Sequence, residues 1–432
     1  APLQLIRSRE TTSSVNPQYP WRAIRSYGKV ISPHSPTSRS RWGSLKIRQM
    51  LRSSVNWKRL LGDKLTFFIY NRFRLRNIVP LWEWVVDCDR LFEKITQLVL
   101  AHSPSGVERE MDHLLMQELQ ELGVEYWQDK AGNIIVKIAG ESREGAIAIT
   151  AHKDEIGAMV KGVKPDGTLI IRKLGGSFPW VYGEGVVDIL GDYSTISGIL
   201  SFGSRHVSHE SPQKATQDKL PLQWEDAWVE TKCTVEELQQ VGVRPGTRVV
   251  VGKHRKTPFR LKDHIASYTL DNKASVAILL ALAEEVKSPP QDIYLVASAK
   301  EEVGAVGALY FTQNQPLDAL IALEICPLSV EYPIQDSPAP VLLAQDAYGI
   351  YDEGLNQELL ESASQASIPV QYAVISGFGS DASIAMKFGH VARGACLGFP
   401  TQNTHGYEMT HLGAITNCIT ILKQYCLQGE TP

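Results

Sequence analysis

The sequence has no Cys-x-x-Cys pair. Its six cysteines (Cys88, Cys233, Cys326, Cys396, Cys418, Cys426) are scattered. That argues against a structural thiolate zinc site or a disulfide framework and fits reduced thiols in a cytosol-like compartment. No run of eighteen apolar residues occurs, so no transmembrane helix is expected. The most apolar N-terminal piece, 65–70, is soon interrupted by Arg72, Arg74 and Arg76. Acids are nearly missing from residues 1–80, which hold only Glu10 and Asp63 against sixteen Lys/Arg, a net charge of +14. Residues 81–432 are the reverse, at −17. An acidic body argues against a general nucleic-acid binder. There is no internal repeat.

What is present divides the chain. Residues 1–85 are rich in Arg, Ser and Pro, a composition that builds no core easily. It is similar to that of an organellar transit segment, but a basic disordered extension or an over-extended reading frame is the favoured reading. A cytoplasmic location is expected, or organellar import if this segment acts as a transit sequence. From 86 to 157 the texture is that of a packed domain. Residues 91–100 and 108–122 have helical spacing, residues 124–128 and 133–138 read as strands, and 145–150 as a buried strand ending at His152. Residues 158–256 carry short β-type runs at 168–171, 185–190, 199–202 and 248–251, broken by Gly, Pro and Asp, with a short helix capped by Thr234. They read as a small, mainly-β domain inserted into the first. From 257 to 428 the first domain resumes with helices at 276–286 and 356–366 and strands at 292–296, 318–325, 370–375 and 395–398. Residues 404–409 then lead into a terminal helix at about 410–426. The alternation predicts an α/β fold with a mixed, largely parallel sheet and helices on both faces.

One stretch carries the chemistry. Glu301 and Glu302 follow an apolar strand and open a glycine-rich turn that includes Gly304 and Gly307. His152 and Glu324 also stand at strand ends, while Asp271 opens a helix and His405 precedes one. In open α/β sheets, ligands collect outside the carboxyl ends of the strands. Two imidazoles and three carboxylates suit zinc, cobalt or manganese rather than copper(I) or an iron–sulfur cluster. Three carboxylates and one hydroxide balance two divalent ions, which leaves a fourth carboxylate to move protons. Taken singly, each residue also has an ordinary role. Asp271 can cap a helix, Glu324 can pair with an arginine, and either histidine can be a loop or core residue.

Five blocks in order decide between these readings: His152-Lys153-Asp154-Glu155-Ile156-Gly157, Leu270-Asp271-Asn272-Lys273-Ala274, Glu301-Glu302-Val303-Gly304, Ala322-Leu323-Glu324 and Asn403-Thr404-His405-Gly406-Tyr407-Glu408. Over roughly residues 88–428 the sequence resembles the dinuclear metallo-aminopeptidases of the glutamyl-aminopeptidase type. This group includes the tetrahedral (TET) aminopeptidases, and some of its members are labelled endoglucanase. The resemblance implies two divalent metals per chain, zinc first, with cobalt or manganese as alternatives. His152 and Glu324 would hold one, Glu302 and His405 the other, and Asp271 would bridge them. Asp154 would orient His152, and Glu301 would be the general base toward a water activated between the metals. Lys153 and Lys273 depart from the family, which often has an apolar residue and an arginine there; Glu324 is one methylene longer than the common Asp.

The resemblance further implies release of N-terminal residues from short peptides. It implies a homo-oligomer in which segment 158–256 makes dimer contacts within a dodecamer, with neither membrane nor nucleic acid as partner. A deacylase or dipeptidase on the same scaffold is an alternative, and so is a non-catalytic assembly or binding protein.

Overall fold

The computed structural model describes residues 87–428 apart from 142–144, 212–213 and 215–221. The expected basic extension, 1–85, therefore lies outside the described residues. Strands β1 (Tyr126–Gln128), β2 (Ile134–Ile138) and β3 (Ala146–His152) precede β4 (Gly157–Val163), β5 (Leu169–Leu174), β6 (Gly185–Leu190), β7 (Thr195–Ser201), β8 (Trp228–Glu230) and β9 (Arg248–Val251). The chain continues through β10 (Phe259–Leu261), β11 (His264–Tyr268), β12 (Asp292–Ser298) and β13 (Ala319–Pro327). It ends with β14 (Val341–Gln345), β15 (Gln371–Val374), β16 (Arg393–Gln402) and β17 (Tyr407–His411).

Two sheets result. The larger runs β1-β2-β12-β3-β13-β16-β17-β11-β10, with β14 against β16 and β15 against β14. Its centre, β12-β3-β13-β16, is parallel and its flanks are antiparallel. Burial explains why the central strands read as continuous apolar runs. Along β3, Ile147, Ile149 and Ala151 join one core while Ala148 joins the other. Ile293, Leu295 and Ala297 of β12 likewise face one side, and Tyr294 and Val296 the other. Helices Cys88–Leu100, Leu270–Glu285 and Leu412–Leu427 supply the first core, and Asp381–Lys387 contributes to the second. The fold is thus α/β with helices on both faces of a mixed sheet, as the sequence predicts.

The second sheet closes on itself as β4-β5-β8-β7-β6-β9. Its strands alternate: Leu169 and Ile171 are buried in the barrel and Ile170 and Arg172 face out. That half-polar pattern is why β4 and β8 escape the sequence reading. The short helix Val235–Gln240 is capped as expected, with Thr234 accepting from the Glu237 N–H and Glu237 answering.

Two corrections concern the C-terminal part. Residues 407–411 form strand β17, paired with β11, and the last helix begins at Leu412. His405 therefore precedes a strand, not a helix. Glu324 lies within β13 rather than at its end. No described helix is long and apolar enough to cross a membrane.

Candidate metal centre

His152 is the last residue of β3, and across the parallel ladder it stands opposite Ser298, the last of β12. The chain then turns through Lys300, with φ of 58°, into the short 3₁₀ segment Glu301–Val303 and leaves through Ala305 at φ 51°. Two non-glycine residues in the left-handed region cost roughly 1–3 kcal/mol each, so surrounding bonds must hold this turn. Asp154 does so. Its carboxylate accepts the Glu301 N–H at 2.9 Å, the Glu302 N–H at 3.3 Å and the Ser105 hydroxyl at 2.6 Å. Gly307 closes the turn where a Cβ would lie 2.2 Å from Asn133 Oδ1.

The other candidates converge on this turn. His152 Nε2 is 3.1 Å from Asp271 Oδ1, and His405 Nε2 is 3.3 Å from Asp271 Oδ2. The two oxygens of one carboxylate thus face different imidazoles. Ligand atoms of His152, Asp271 and Glu324 all lie within 4.8 Å of one another, as do those of Asp271, Glu302 and His405. Glu301 Oε2 is 3.9 Å from His152 Nε2 and is in neither triad. All seven sequence-predicted residues are therefore gathered at one edge of the sheet.

Each imidazole is oriented by a carbonyl. His152 Nδ1 is 3.1 Å from the Asp154 main-chain oxygen, and His405 Nδ1 is 3.1 Å from the Gly176 oxygen. A bond at Nδ1 to a carbonyl acceptor leaves Nε2 free to ligate, which is the usual support for a metal-binding histidine. The Asp154 carboxylate itself sits 3.6 Å from His152 Nδ1 and is mainly occupied with the turn of Glu301 and Glu302. Gly176 is required here, since a Cβ would come within 2.9 Å of the His405 ring.

The sequence reading assigns no role to Glu408, Glu155 or Lys256. Glu408, 1% exposed, accepts the N–H of Asp271 through one oxygen and of His405 through the other, both at 2.9 Å. It fixes two candidate ligands at once. Glu155, also 1% exposed, is bonded by Lys256 at 2.9 Å and by Lys273 at 2.8 Å. Burial alone would raise its carboxyl, yet the two ammonium groups hold it well below the usual range. Burial lowers Lys273 to about 7 against the pull of Glu155. Lys273 also donates to the Ala101 carbonyl at 2.7 Å, so it anchors the loop that carries Asp271. A signal for Glu155 stood in the His152-Lys153-Asp154-Glu155 run; its partner Lys256 is too far along the chain to be foreseen.

The electrostatics are those of an anionic hole. Burial, then Glu302, Asp381 and Asp154, push the Glu301 carboxyl well up, with His152 opposing. Burial likewise raises Glu324, Glu302 to about 7 and Glu408 to about 8. Burial would lower His405, but Glu302 and Asp271 carry it to about 11. His152 is raised in the same way, chiefly by Asp271, Glu324 and Glu301 against its burial. So many buried acids call for more positive charge than two imidazoles supply. Divalent cations suit this nitrogen and oxygen donor set, which contains no thiolate.

The sequence profile of the M42 glutamyl aminopeptidases matches residues 132–421. The chain belongs to the M42 glutamyl aminopeptidase family. It is accordingly a hydrolase of the exopeptidase class, and the family implies divalent metals. A glutamyl aminopeptidase of Lactococcus lactis subsp. cremoris is 25% identical over 328 residues, covering 74% of this chain and 90% of its own. Among solved structures, an aminopeptidase of the archaeon Desulfurococcus kamchatkensis superposes with a TM-score of 0.71 at 23% identity, over 79% of this chain and 96% of its own. The Pyrococcus horikoshii TET1 peptidase, which assembles into a tetrahedron or a large octahedral shell, gives 0.70 at 23% identity, over 78% and 100%. Both likenesses concern the fold.

Proposed function

We propose that this M42 enzyme removes the N-terminal residue of short peptides with two divalent ions, zinc by preference. His152, Asp271 and Glu324 would hold one ion, and Asp271, Glu302 and His405 the other. The observation that carries the reading is the shared Asp271 carboxylate, whose two oxygens face His152 and His405 separately. Bound there, the ions supply Lewis acidity toward the scissile carbonyl and the attacking water.

The chain's own groups supply the rest. Glu301 stands beside both triads, and burial with neighbouring acids raises its proton affinity. It takes a proton from the attacking water and delivers it to the leaving amine. Asp154 aims it by binding the Glu301 and Glu302 N–H groups. Tyr182 and Tyr268 wall the pocket and limit water around the reacting bond.

The division that goes with this reading has a catalytic domain of residues 86–157 and 257–428. Segment 158–256, which holds the closed barrel save Gly157 at its start, would be the assembly module, by analogy with the TET1 peptidase. A dodecamer built from dimers is the expected state, and a native mass of one chain would rule it out. A cytoplasmic setting suits such an enzyme.

The test is a panel of amino-acid amides assayed with and without chelator. Release of free amino acid should stop on chelation and return with zinc, cobalt or manganese. Turnover that survives complete metal removal would overturn the reading, as would activity confined to N-acylated substrates.

A further inference from the structure

A cleft of about 670 Å³ opens between the barrel and the large sheet, and it shares no lining residue with the pocket of Asp271, Glu302 and His405. Its volume falls in the range of small-molecule and peptide sites. Five cations line it: Arg109, Lys153, Arg244, Arg248 and Lys300. Three acids oppose them: Glu108, Asp112 and Asp192. The wall is thus net positive, although residues 81–432 carry −17.

The acids are already engaged. Glu108 and Asp112 both pair with the fully buried Lys153, the latter at 2.7 Å. This accounts for the unusual lysine beside His152: it neutralises acids that would otherwise face the cleft. Asp192 is gripped by Arg244 through two bonds, of 2.7 and 3.1 Å. The charge of Asp192 reaches Arg109 and that of Glu108 reaches Arg248, but among the described residues neither guanidinium, nor Lys300, forms an ion pair. Arg248 is instead fixed by carbonyls, those of Ser105 at 3.1 Å and Gly246 at 2.6 Å. A guanidinium pinned by neutral acceptors keeps its full charge for an anion.

The cleft also adjoins the catalytic turn. Lys300 immediately precedes Glu301. Ser105, whose carbonyl holds Arg248, donates its hydroxyl to Asp154, and Asp154 binds the N–H groups of Glu301 and Glu302.

We propose that this cleft receives the carboxylates of a peptide downstream of the scissile bond, making short acidic peptides favoured substrates. This rests on the aminopeptidase reading for the position of the N-terminus. The positive wall, the spent acids and the shared turn all favour a carboxylate-bearing chain that passes Glu301.

The test compares two peptides at low ionic strength: Leu-Gly-Glu-Glu with a free carboxyl terminus, and Leu-Gly-Gln-Gln amide. The acidic peptide should show a KM lower by about tenfold. In the Arg109→Gln/Lys300→Gln double variant the ratio of the two KM values should fall toward one. Equal KM values in the natural protein would overturn the proposal, as would a ratio untouched in the variant. Calorimetric titration of the metal-loaded protein with N-acetyl-Gly-Glu-Glu, which has no free amine, separates the two readings. Salt-sensitive binding that the double variant loses, in a protein that cleaves no peptide, would keep the cleft and reject the aminopeptidase. Inorganic phosphate is the second probe. Phosphate binding that is tighter than the peptide's and displaces it would mark a free-anion site and overturn the peptide assignment.

Discussion

Glu301→Gln should lower turnover about 10²–10⁴-fold while the metal content per chain stays at the natural value. That range corresponds to roughly 3–5 kcal/mol of transition-state stabilisation. The amide is nearly isosteric, so the turn held by Asp154 through main-chain N–H groups is kept. What is lost is a group that can take a proton. Glu301 lies outside both ligand triads, so occupancy has no reason to change. KM should move little, because the substituted group acts in proton transfer rather than in binding. Metal loss in step with activity, with normal turnover per bound metal, would exchange the roles of Glu301 and Glu302.

Asp271→Asn should instead empty the centre. An asparagine offers one neutral oxygen where the carboxylate offers two charged ones, facing His152 and His405 separately. Both ions would lose a charged ligand at once. Affinity should fall by at least the 10–100-fold that loss of an outer supporting partner costs, and metal analysis after dialysis should find far less than in the natural protein. The backbone should stay in place, since Glu408 holds the Asp271 N–H and Lys273 holds the following turn. Unchanged occupancy would remove Asp271 from the centre. His405→Ala should lower occupancy less, because His152, Asp271 and Glu324 remain together.

The central sheet was legible because its strands are buried on both faces. The run from Ala146 to Thr150 and that from Ala319 to Leu323 are wholly apolar apart from Thr150, and few other structures accommodate such runs at that length. Strands β10, β11 and β14 were not legible. Segments such as Phe259–Leu261 are exposed and short, and their pairing partners are distant in the chain. Strand β17 misled for a different reason. Tyr407-Glu408-Met409-Thr410 runs straight into a helix, and only the ladder to β11 reveals it as a strand.

The candidate ligands were legible as residue types near the starts and ends of strands and helices, and their grouping rested on the resemblance. Spacing could not show that Asp271 faces two imidazoles at once, because that depends on how three loops meet. Glu408 and Glu155 stood inside the quoted blocks, but their roles were not legible, for the same reason. Glu408 acts through backbone N–H groups and Glu155 through buried lysines, and neither contact leaves a pattern in sequence. Lys153 and Lys273 stood out as departures. The structure gives both a common logic: each is fully buried and each pairs with acids, Lys153 with Glu108 and Asp112 at the separate cleft and Lys273 with Glu155 beside the candidate metal centre.

Two divalent ions sharing Asp271 should be visible by anomalous diffraction from zinc-loaded crystals at the zinc edge. Two peaks per chain are expected, one bounded by His152, Asp271 and Glu324 and the other by Asp271, Glu302 and His405. A single peak, or peaks that do not touch Asp271, would contradict this arrangement.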